Sequence, residues 1–420
     1  MKTLLALAMR SAWNRRLTLG LTLAAVALSS LLLLAVERLR ADLRASFAMS
    51  VSGVDLVVGA RGSPVQLMLY SVFRMGEVSQ NMSWASARWL STLPGVAWTV
   101  PVSLGDSHRG YPVLGTSTGY FDHFRYGDRR ELRLASGRGF ESLFEAVLGA
   151  EVAQRLGHAV GSSITLAHGS GEGPGADHGD KPFTVTGILE RTGTPVDRTV
   201  HISLESMEAL HLEWVGGAPI PGLAIPPHLV RKFDLTPKSV TAVFVGLENR
   251  AAVFALQREI NAHRQEALMG VLPGVALDEL WQLVAVAERY AQLVSMLVVA
   301  VGLTGLVAVI LAGLNERRRE LAILRSVGAR PRDVFALLAF EGVAVAAIGA
   351  ALGALLVAVL AAVLAPWLQA HFGLTLRAGL PAPAEWQLAG GIIAVGALAS
   401  LLPGWRAYRL SLADGMTPRL

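Results

Sequence analysis

Residues 315–335 read NERRRELAILRSVGARPRDVF and follow directly on an apolar run. At the centre of a bilayer each of Arg317, Arg318, Arg319, Arg325, Arg330 and Arg332 would cost about 2.5–3.5 kcal/mol, so this stretch lies outside the hydrocarbon. The spacing predicts a helix over 316–327 with Leu321, Leu324 and Val327 on one side. Gly328 suits the left-handed position that closes such a helix, and Pro331 suits the first turn of a new one, continued by Val334, Leu337 and Leu338. A short basic helix is thus held at both ends by apolar helices.

Working outward, the 420 residues are 52% hydrophobic and only 16% charged, with 37 Lys+Arg against 32 Asp+Glu and a formal charge of +5. That balance, with mean hydropathy +0.46, is too apolar for an ordinary soluble chain and points to a membrane protein. A membrane-crossing helix needs about 20 mostly apolar residues. Four stretches supply them: 17–36, 293–314, 343–367 and 386–402. The first follows Lys2, Arg10, Arg15 and Arg16, as a secretory signal would. Its apolar run exceeds the roughly 7–15 residues of a signal and ends in ERLRADLR rather than a small-residue cleavage site, so it reads as an uncleaved anchor.

The excess of positive charge on cytosolic loops orients the spans. Residues 315–335, the N-terminus, and Arg406 and Arg409 go to the cytosol, which leaves the long segment between the first two spans outside. The expected partition is 1–16 cytosolic, 17–36 first span, 37–285 outer domain, 286–314 second span, and 315–335 cytosolic. Then come 336–367 third span, 368–385 short outer loop, 386–404 fourth span and 405–420 cytosolic. All 10 histidines, His108 to His371, fall on the outer side, and the chain has no cysteine, so no disulfide is needed there.

The first span prolongs past the membrane through Leu39, Leu43 and Phe47. The approach to the second carries Leu277, Leu280, Leu283, Val284 and Tyr290 at helical spacing. These extensions read as a paired stalk or as two helices packed on the base of the outer domain. Between them, strand-like runs (95–104, 111–118, 162–167, 183–190, 241–247) alternate with helical ones (141–156, 203–212, 250–268), which predicts a large α+β domain inserted between the first and second of four transmembrane helices. Residues 168–180, HGSGEGPGADHGD, read as a flexible loop, and 216–228, rich in proline, as a protruding one.

The outer domain holds Ser, His and Asp in plenty but neither GxSxG nor HExxH, and no GxxxxGK[ST] phosphate loop occurs anywhere, so no catalytic or nucleotide-binding residue is assigned. As metal ligands, His168, His178 and Asp180 share the Gly-rich loop and are weak candidates. His201 and His211 bracket the helix predicted at Ser203, and no close pair has metal-ligand spacing, so no metal site is assigned. Trp84, Trp89, Trp98, Tyr111, Tyr120, Phe121 and Phe124 suit a core better than a greasy-cargo site. The DLVVGARGSPVQ stretch, with Arg61 between glycines, suggests a tight loop near the stalk. From charge alone, the arginines of 315–335 serve equally well to hold anionic lipid or to meet a protein.

The order of residues goes further. ERRRELAILRSVGARPRDV, then FEGVAVAAIGAALGALL with Glu341 near its start and Gly349 and Gly353 at close-packing spacing, resembles the C-terminal permease domain of the MacB/FtsX-type ABC transporters. PGWRAYRLSLADGM resembles that family's ending. Along the outer domain, LPGVAWTVPVS, YPVLGTSTGYFDHF, SGRGFESLFEAVLGAEVAQRLGHAVGSSITL and FTVTGILERTGTPVDRTVHISL resemble the MacB-type periplasmic core domain in order. Glu341 reads either as an acid at the membrane interface or as partner to an arginine of a neighbouring helix.

The resemblance implies a permease subunit in a bacterial inner membrane, both termini cytosolic and the large domain periplasmic. This chain carries no fused ATPase, so its layout is like that of lipoprotein-releasing permeases. It would be no enzyme itself and hold no cofactor, ATP and Mg being bound by a separate ABC ATPase. By the same resemblance Arg325, Ser326, Val327, Gly328, Ala329, Arg330, Pro331, Arg332, Asp333 and Phe335 form the surface that couples to it. A second permease copy, identical or a sister chain, membrane lipid, and a periplasmic or outer-membrane partner are also expected; nucleic acid is not. The expected function is to turn ATP hydrolysis into movements of the periplasmic domain that extract or export a cargo. The alternatives are FtsX-like signalling to a periplasmic partner and metal-linked transport.

Overall fold

The computed structural model describes residues 15–76, 80–169, 178–215, 218–220, 225–316, 326, 328–372, 379 and 381–409. Their contacts divide the chain into two units. One comprises Met1–Leu43, Ala285–Trp367 and Leu376–Leu420, the other Arg44–Val284 and Leu368–Thr375.

Among the described residues, the first unit is built on four helices long and apolar enough to cross a membrane: α1 (Arg16–Met49), α2 (Pro273–Glu316), α3 (Pro331–Phe372) and α4 (Pro383–Arg409). At 1.5 Å per residue, the 34 residues of α1 run about 51 Å and the 44 of α2 about 66 Å, well beyond a hydrocarbon layer of about 30 Å. Both helices therefore continue far outside the membrane. Small residues set the packing between them. A Cβ at Gly349 would lie 2.6 Å from Val26 Cγ1, and one at Gly353 would lie 2.6 Å from Ser30 Cβ and 2.9 Å from the Ala27 carbonyl oxygen, so α3 meets α1 at backbone distance. Gly302 of α2 faces Ser29 of α1 in the same way, and Gly396 of α4 faces Ala346 of α3. Where hydrocarbon surrounds the helices, such close approach supplies the association that burial supplies in water.

Two buried ion pairs join helices of this unit among the described residues. Arg15 Nη2 donates to Glu341 Oε1 at 2.9 Å, with both side chains largely buried. Arg38 Nε lies 3.4 Å from Glu385 Oε1 and Arg38 Nη2 donates to the Gly379 carbonyl.

The second unit is organised by a mixed sheet, eleven-stranded among the described residues. Its strands are β1 (Leu56–Ala60), β2 (Val96–His108), β3 (Tyr111–Thr116), β4 (Leu134–Gly137), β5 (Glu145–Leu148), β6 (Ser163–Ile164), β7 (Ala167–His168), β8 (Phe183–Leu189), β9 (Val200–Ser203), β10 (Ala242–Leu247) and β11 (Leu268–Val271). They run in the order β11-β1-β10-β2-β3-β9-β5-β8-β4, with β7 beside β2 and β6 beside β8. β3/β9 and β5/β8 are parallel pairs; the others are antiparallel. Period-two alternation sends Leu56 and Val58 of β1 to one core with Val243 and Val245 of β10, and Val57 to another with Ala242 and Phe244.

That second core also receives Phe47 from the end of α1 and Ala276, Leu277, Leu280 and Trp281 from the start of α2. Phe47 meets Trp281 edge-on at 5.5 Å, and the Arg44 guanidinium lies 5.4 Å from the centre of the Trp281 ring. The ends of both long helices are thus anchored in the hydrophobic core of the sheet.

Two sequence expectations change here. The run 141–156 is not one helix: Glu145–Leu148 is strand β5 and only Ala150–Leu156 is helical. β5 sits between β8 and β9, buried on both faces, and a short continuous apolar run of that kind has no periodicity to separate strand from helix. DLVVGARG is likewise not simply a loop, because Leu56–Ala60 is a strand paired on both sides, by β10 and by the edge strand β11. The aromatics lie as core residues, with Tyr120, Phe124 and Tyr111 buried and Trp98 stacked on His123 at 4.9 Å.

Candidate functional site

Of the coupling residues expected in 315–335, Arg325 and Val327 lie outside the described residues, as do Arg317, Arg318 and Arg319. What is described is the turn into α3. Gly328 takes a φ of +108°, a conformation open to glycine. Pro331 opens α3, and the Asp333 carboxylate accepts from the Arg330 backbone N–H at 2.9 Å, which caps the first turn. Ser326, Arg330, Arg332 and Asp333 are exposed, whereas Val334 is buried. Val334 and Leu338 pack with Leu303, Leu306, Ile310 and Leu314 of α2, and a Cβ on Gly404 of α4 would touch the Phe335 ring at 3.0 Å. Charged side chains point out from a turn whose apolar side is fixed to two other helices.

A second constellation sits in the sheet unit. β7 pairs with β2 so that His168 stands directly opposite Asp106. The far end of the 168–180 segment returns to the same place, His178 N donating to the Leu166 carbonyl at 2.8 Å and Gly169 N to the Gly105 carbonyl at 2.8 Å. His211, the residue that ends the helix Leu204–Leu210, enters from a third direction. One ligand atom from each of Asp106, His168, His178 and His211 lies within 4.8 Å of the others.

The distances inside the group are short. Asp106 Oδ1 is 3.1 Å from His168 Nδ1 and 3.3 Å from His211 Nε2, and those two nitrogens are 3.2 Å apart. His211 Nδ1 donates to the Met207 carbonyl at 2.9 Å, so Nε2 faces the cluster. Trp214 walls it, its ring 4.9 Å from that of His168 and 5.0 Å from that of His178. Burial alone would raise the Asp106 pKa. The hydrogen bonds from His168 and His211 and the nearby His211 and His178 outweigh it and hold the carboxyl at about 2. Burial lowers His178 to about 4, against the pull of Asp106. His211 is also opposed by burial but raised on balance by its bond to Asp106.

Of the metal candidates named from sequence, His168 and His178 converge and Asp180 does not join them, its carboxylate lying 3.1 Å from Lys181 Nζ. The carboxylate of the group is instead Asp106, 62 residues before His168 in the chain and brought beside it by strand register. The centre of the loop, 170–177, lies outside the described residues, as do 216–217 and 221–224 of the proline-rich stretch.

His201 stands apart, fully buried in β9, its Nδ1 donating to the Val147 carbonyl. Burial, with the charge of Arg74, lowers its pKa to about 3 against that hydrogen bond. An unfolded histidine titrates near 6.5, so this group's contribution to stability is complete above about pH 6.5 and is lost as pH falls towards 3. Between pH 7 and pH 5 the loss amounts to about 2 kcal/mol. His201→Gln is expected to remove that share of the acid sensitivity, read as a smaller drop in Tm between pH 7 and pH 5 by intrinsic fluorescence.

Residues 17–263 match the family model of the MacB-like periplasmic core domain, and residues 293–412 that of the FtsX-like permease C-terminal domain. The chain belongs to the MacB/FtsX-type family of ABC transporter permeases: a membrane protein with a MacB-like periplasmic domain between its first two long apolar helices. No curated protein matches it. Among solved structures it is similar to the periplasmic region of MacB from Actinobacillus actinomycetemcomitans, at 12% identity over 55% of this chain and 94% of that one, with a TM-score of 0.34. It is also similar to the extracellular domain of the noncanonic ABC-type transporter YknZ from Gram-positive bacteria, at 12% identity over 52% of this chain and 99% of that one, with a TM-score of 0.30.

Proposed function

We propose that this chain is the membrane subunit of an ATP-driven transporter that converts the cycle of a separate ATPase into movement of its own periplasmic domain. In this reading it lies in a bacterial inner membrane with both termini in the cytosol. It works with a second permease copy, and its cargo is extracted or exported outside the membrane rather than through a pore.

The observation that carries the reading is the continuity of α1 and α2. Each is a single helix that includes a span and ends, or begins, with side chains in the core of the sheet. The turn into α3 bears on α2 through Val334 and Leu338. A push on the exposed Arg330 and Arg332 would therefore act on α2 through packed side chains, and packed cores pass on displacement rather than absorb it. The residues that would receive the ATPase are Arg325–Asp333 with Phe335 behind them, and the chain itself performs no chemistry.

The test is purification from native membrane, identification of the ATPase that accompanies the chain, and measurement of its ATP hydrolysis in nanodiscs with and without the permease. The triple variant Arg325→Glu, Arg330→Glu, Arg332→Glu is expected to lower hydrolysis to the rate of the ATPase alone while membrane yield stays the same. Wild-type stimulation by that variant would refute the coupling role. An ATPase cycle that activates a periplasmic hydrolase and moves no cargo would favour FtsX-like signalling.

A further inference from the structure

We propose that Asp106, His168, His178 and His211 form a binding site for one divalent transition-metal ion, with zinc as its best-fitting occupant. The site is independent of the coupling role above and uses none of the same residues.

Distance supplies the first support. Zinc holds imidazole nitrogen and carboxylate oxygen at about 2.0–2.2 Å in a tetrahedron, which places any two donors about 3.4 Å apart. Three edges of this group are 3.1, 3.2 and 3.3 Å, and all four donors lie within 4.8 Å. The fourth ligand has only to swing inward to close the tetrahedron.

Unsatisfied polar atoms supply the second. A network of hydrogen bonds alone would account for Asp106 Oδ1 accepting from His168 and His211. It leaves His178 Nε2 and Asp106 Oδ2 buried with no partner among the described residues, although His178 is only 2% exposed and the Asp106 side chain is wholly enclosed. Buried polar groups are seldom left unpaired, and a cation at the centre of the group would engage the nitrogen and relieve the carboxylate.

The third support is orientation. The bond from His211 Nδ1 to the Met207 carbonyl keeps the ring proton on Nδ1, so that Nε2, on giving up the proton it shares with Asp106, turns its lone pair to the cluster; such an outer contact is one metal-bound histidines commonly make. Three imidazoles and one carboxylate suit zinc and its late first-row neighbours, and are too rich in nitrogen for calcium or magnesium. Four protein donors fill the coordination sphere, so the ion is retained and not passed on as cargo. Bound there, it ties both ends of the 169–177 connection and the edge of β2 to the end of the helix Leu204–Leu210.

The experiment uses the full chain in nanodiscs, carrying a purification tag without histidine. It is stripped with EDTA, dialysed and titrated with zinc chloride by calorimetry and by fluorescence, for which Trp214 is the reporter. One ion per chain is expected, with first-shell N/O distances of about 2.0 Å and imidazole outer shells in the zinc X-ray absorption spectrum. His178→Ala and His211→Ala are each expected to weaken binding more than about 100-fold, beyond what loss of a supporting contact costs. Asp180→Asn and His158→Ala should bind as wild type does, the latter separating this site from the His108–His158 pair, whose Nε2 atoms are 3.0 Å apart. Failure of the folded wild-type protein to take up zinc would by itself overturn the proposal. Unchanged affinity in His178→Ala or His211→Ala, or loss of binding in Asp180→Asn, would do the same.

Discussion

Lys181→Met is expected to destabilise the sheet domain by about 3–5 kcal/mol, because it leaves one half of a buried ion pair behind. The Lys181 side chain is 1% exposed, and its Nζ lies 2.5 Å from Glu213 Oε1 and 3.1 Å from Asp180 Oδ2. Glu213 Oε1 also accepts from the Ile225 backbone N–H at 2.9 Å. Without the ammonium, a buried carboxylate retains one neutral donor, too little to offset its desolvation. For a domain of this size the loss corresponds to a fall in Tm of roughly 6–20 °C. The double variant Lys181→Met/Glu213→Gln should recover most of it, since the amide oxygen still accepts from Ile225 and no charge is stranded. Thermal unfolding of wild type, the single variant and the double variant reads the effect; equal Tm values for wild type and Lys181→Met would show that the pair contributes nothing.

Gly353→Leu is expected to disrupt the helical unit. The first atom of the new side chain would already fall 2.6 Å from Ser30 Cβ, 2.9 Å from the Ala27 carbonyl oxygen and 3.0 Å from Leu31 N. Two of those three neighbours are backbone atoms of α1, so no rotamer change removes the clash and α1 and α3 must separate. Overpacking of this kind costs about 1–3 kcal/mol where side chains can yield, and more where they cannot. Gly305→Leu is the control, because a Cβ at Gly305 meets nothing within 4 Å. Size-exclusion profiles after heating in detergent should show Gly353→Leu aggregating at a temperature at which Gly305→Leu and wild type remain monodisperse. Identical profiles would mean that the α1–α3 contact does not hold the unit together.

The class of fold was legible in the sequence because its strongest signals are local. Twenty apolar residues in a row declare a span wherever they occur, and Arg330, Pro331 and Asp333 carry the start of α3 within one helical turn. The periodicity after Val36 and before Leu293 foretold helices running on beyond the membrane. Strand β5 escaped notice because Ala146, Val147 and Leu148 are apolar on both faces and precede a true helix, and β1 because its place in the sheet depends on β10 and β11, nearly two hundred residues later. The histidine cluster was half legible. His168 and His178 stand at the two ends of a glycine-rich loop, and that was the only signal the sequence carried. Asp106 joins them through a single strand pairing and His211 through the end of a helix, neither of which spacing can foretell. Asp180 was closer in sequence and further from the purpose, held by Lys181.

The account depends on force entering on one side of a membrane and emerging on the other, and the absence of cysteine from the chain makes that directly measurable. Single-cysteine variants Ser326→Cys, beside the turn into α3, and Ser91→Cys, on the surface of the sheet domain, would be exposed to a membrane-impermeant maleimide in intact spheroplasts and again after lysis. The prediction is that Ser91→Cys reacts in intact spheroplasts and Ser326→Cys only after lysis. Labelling of both from the same side would contradict it.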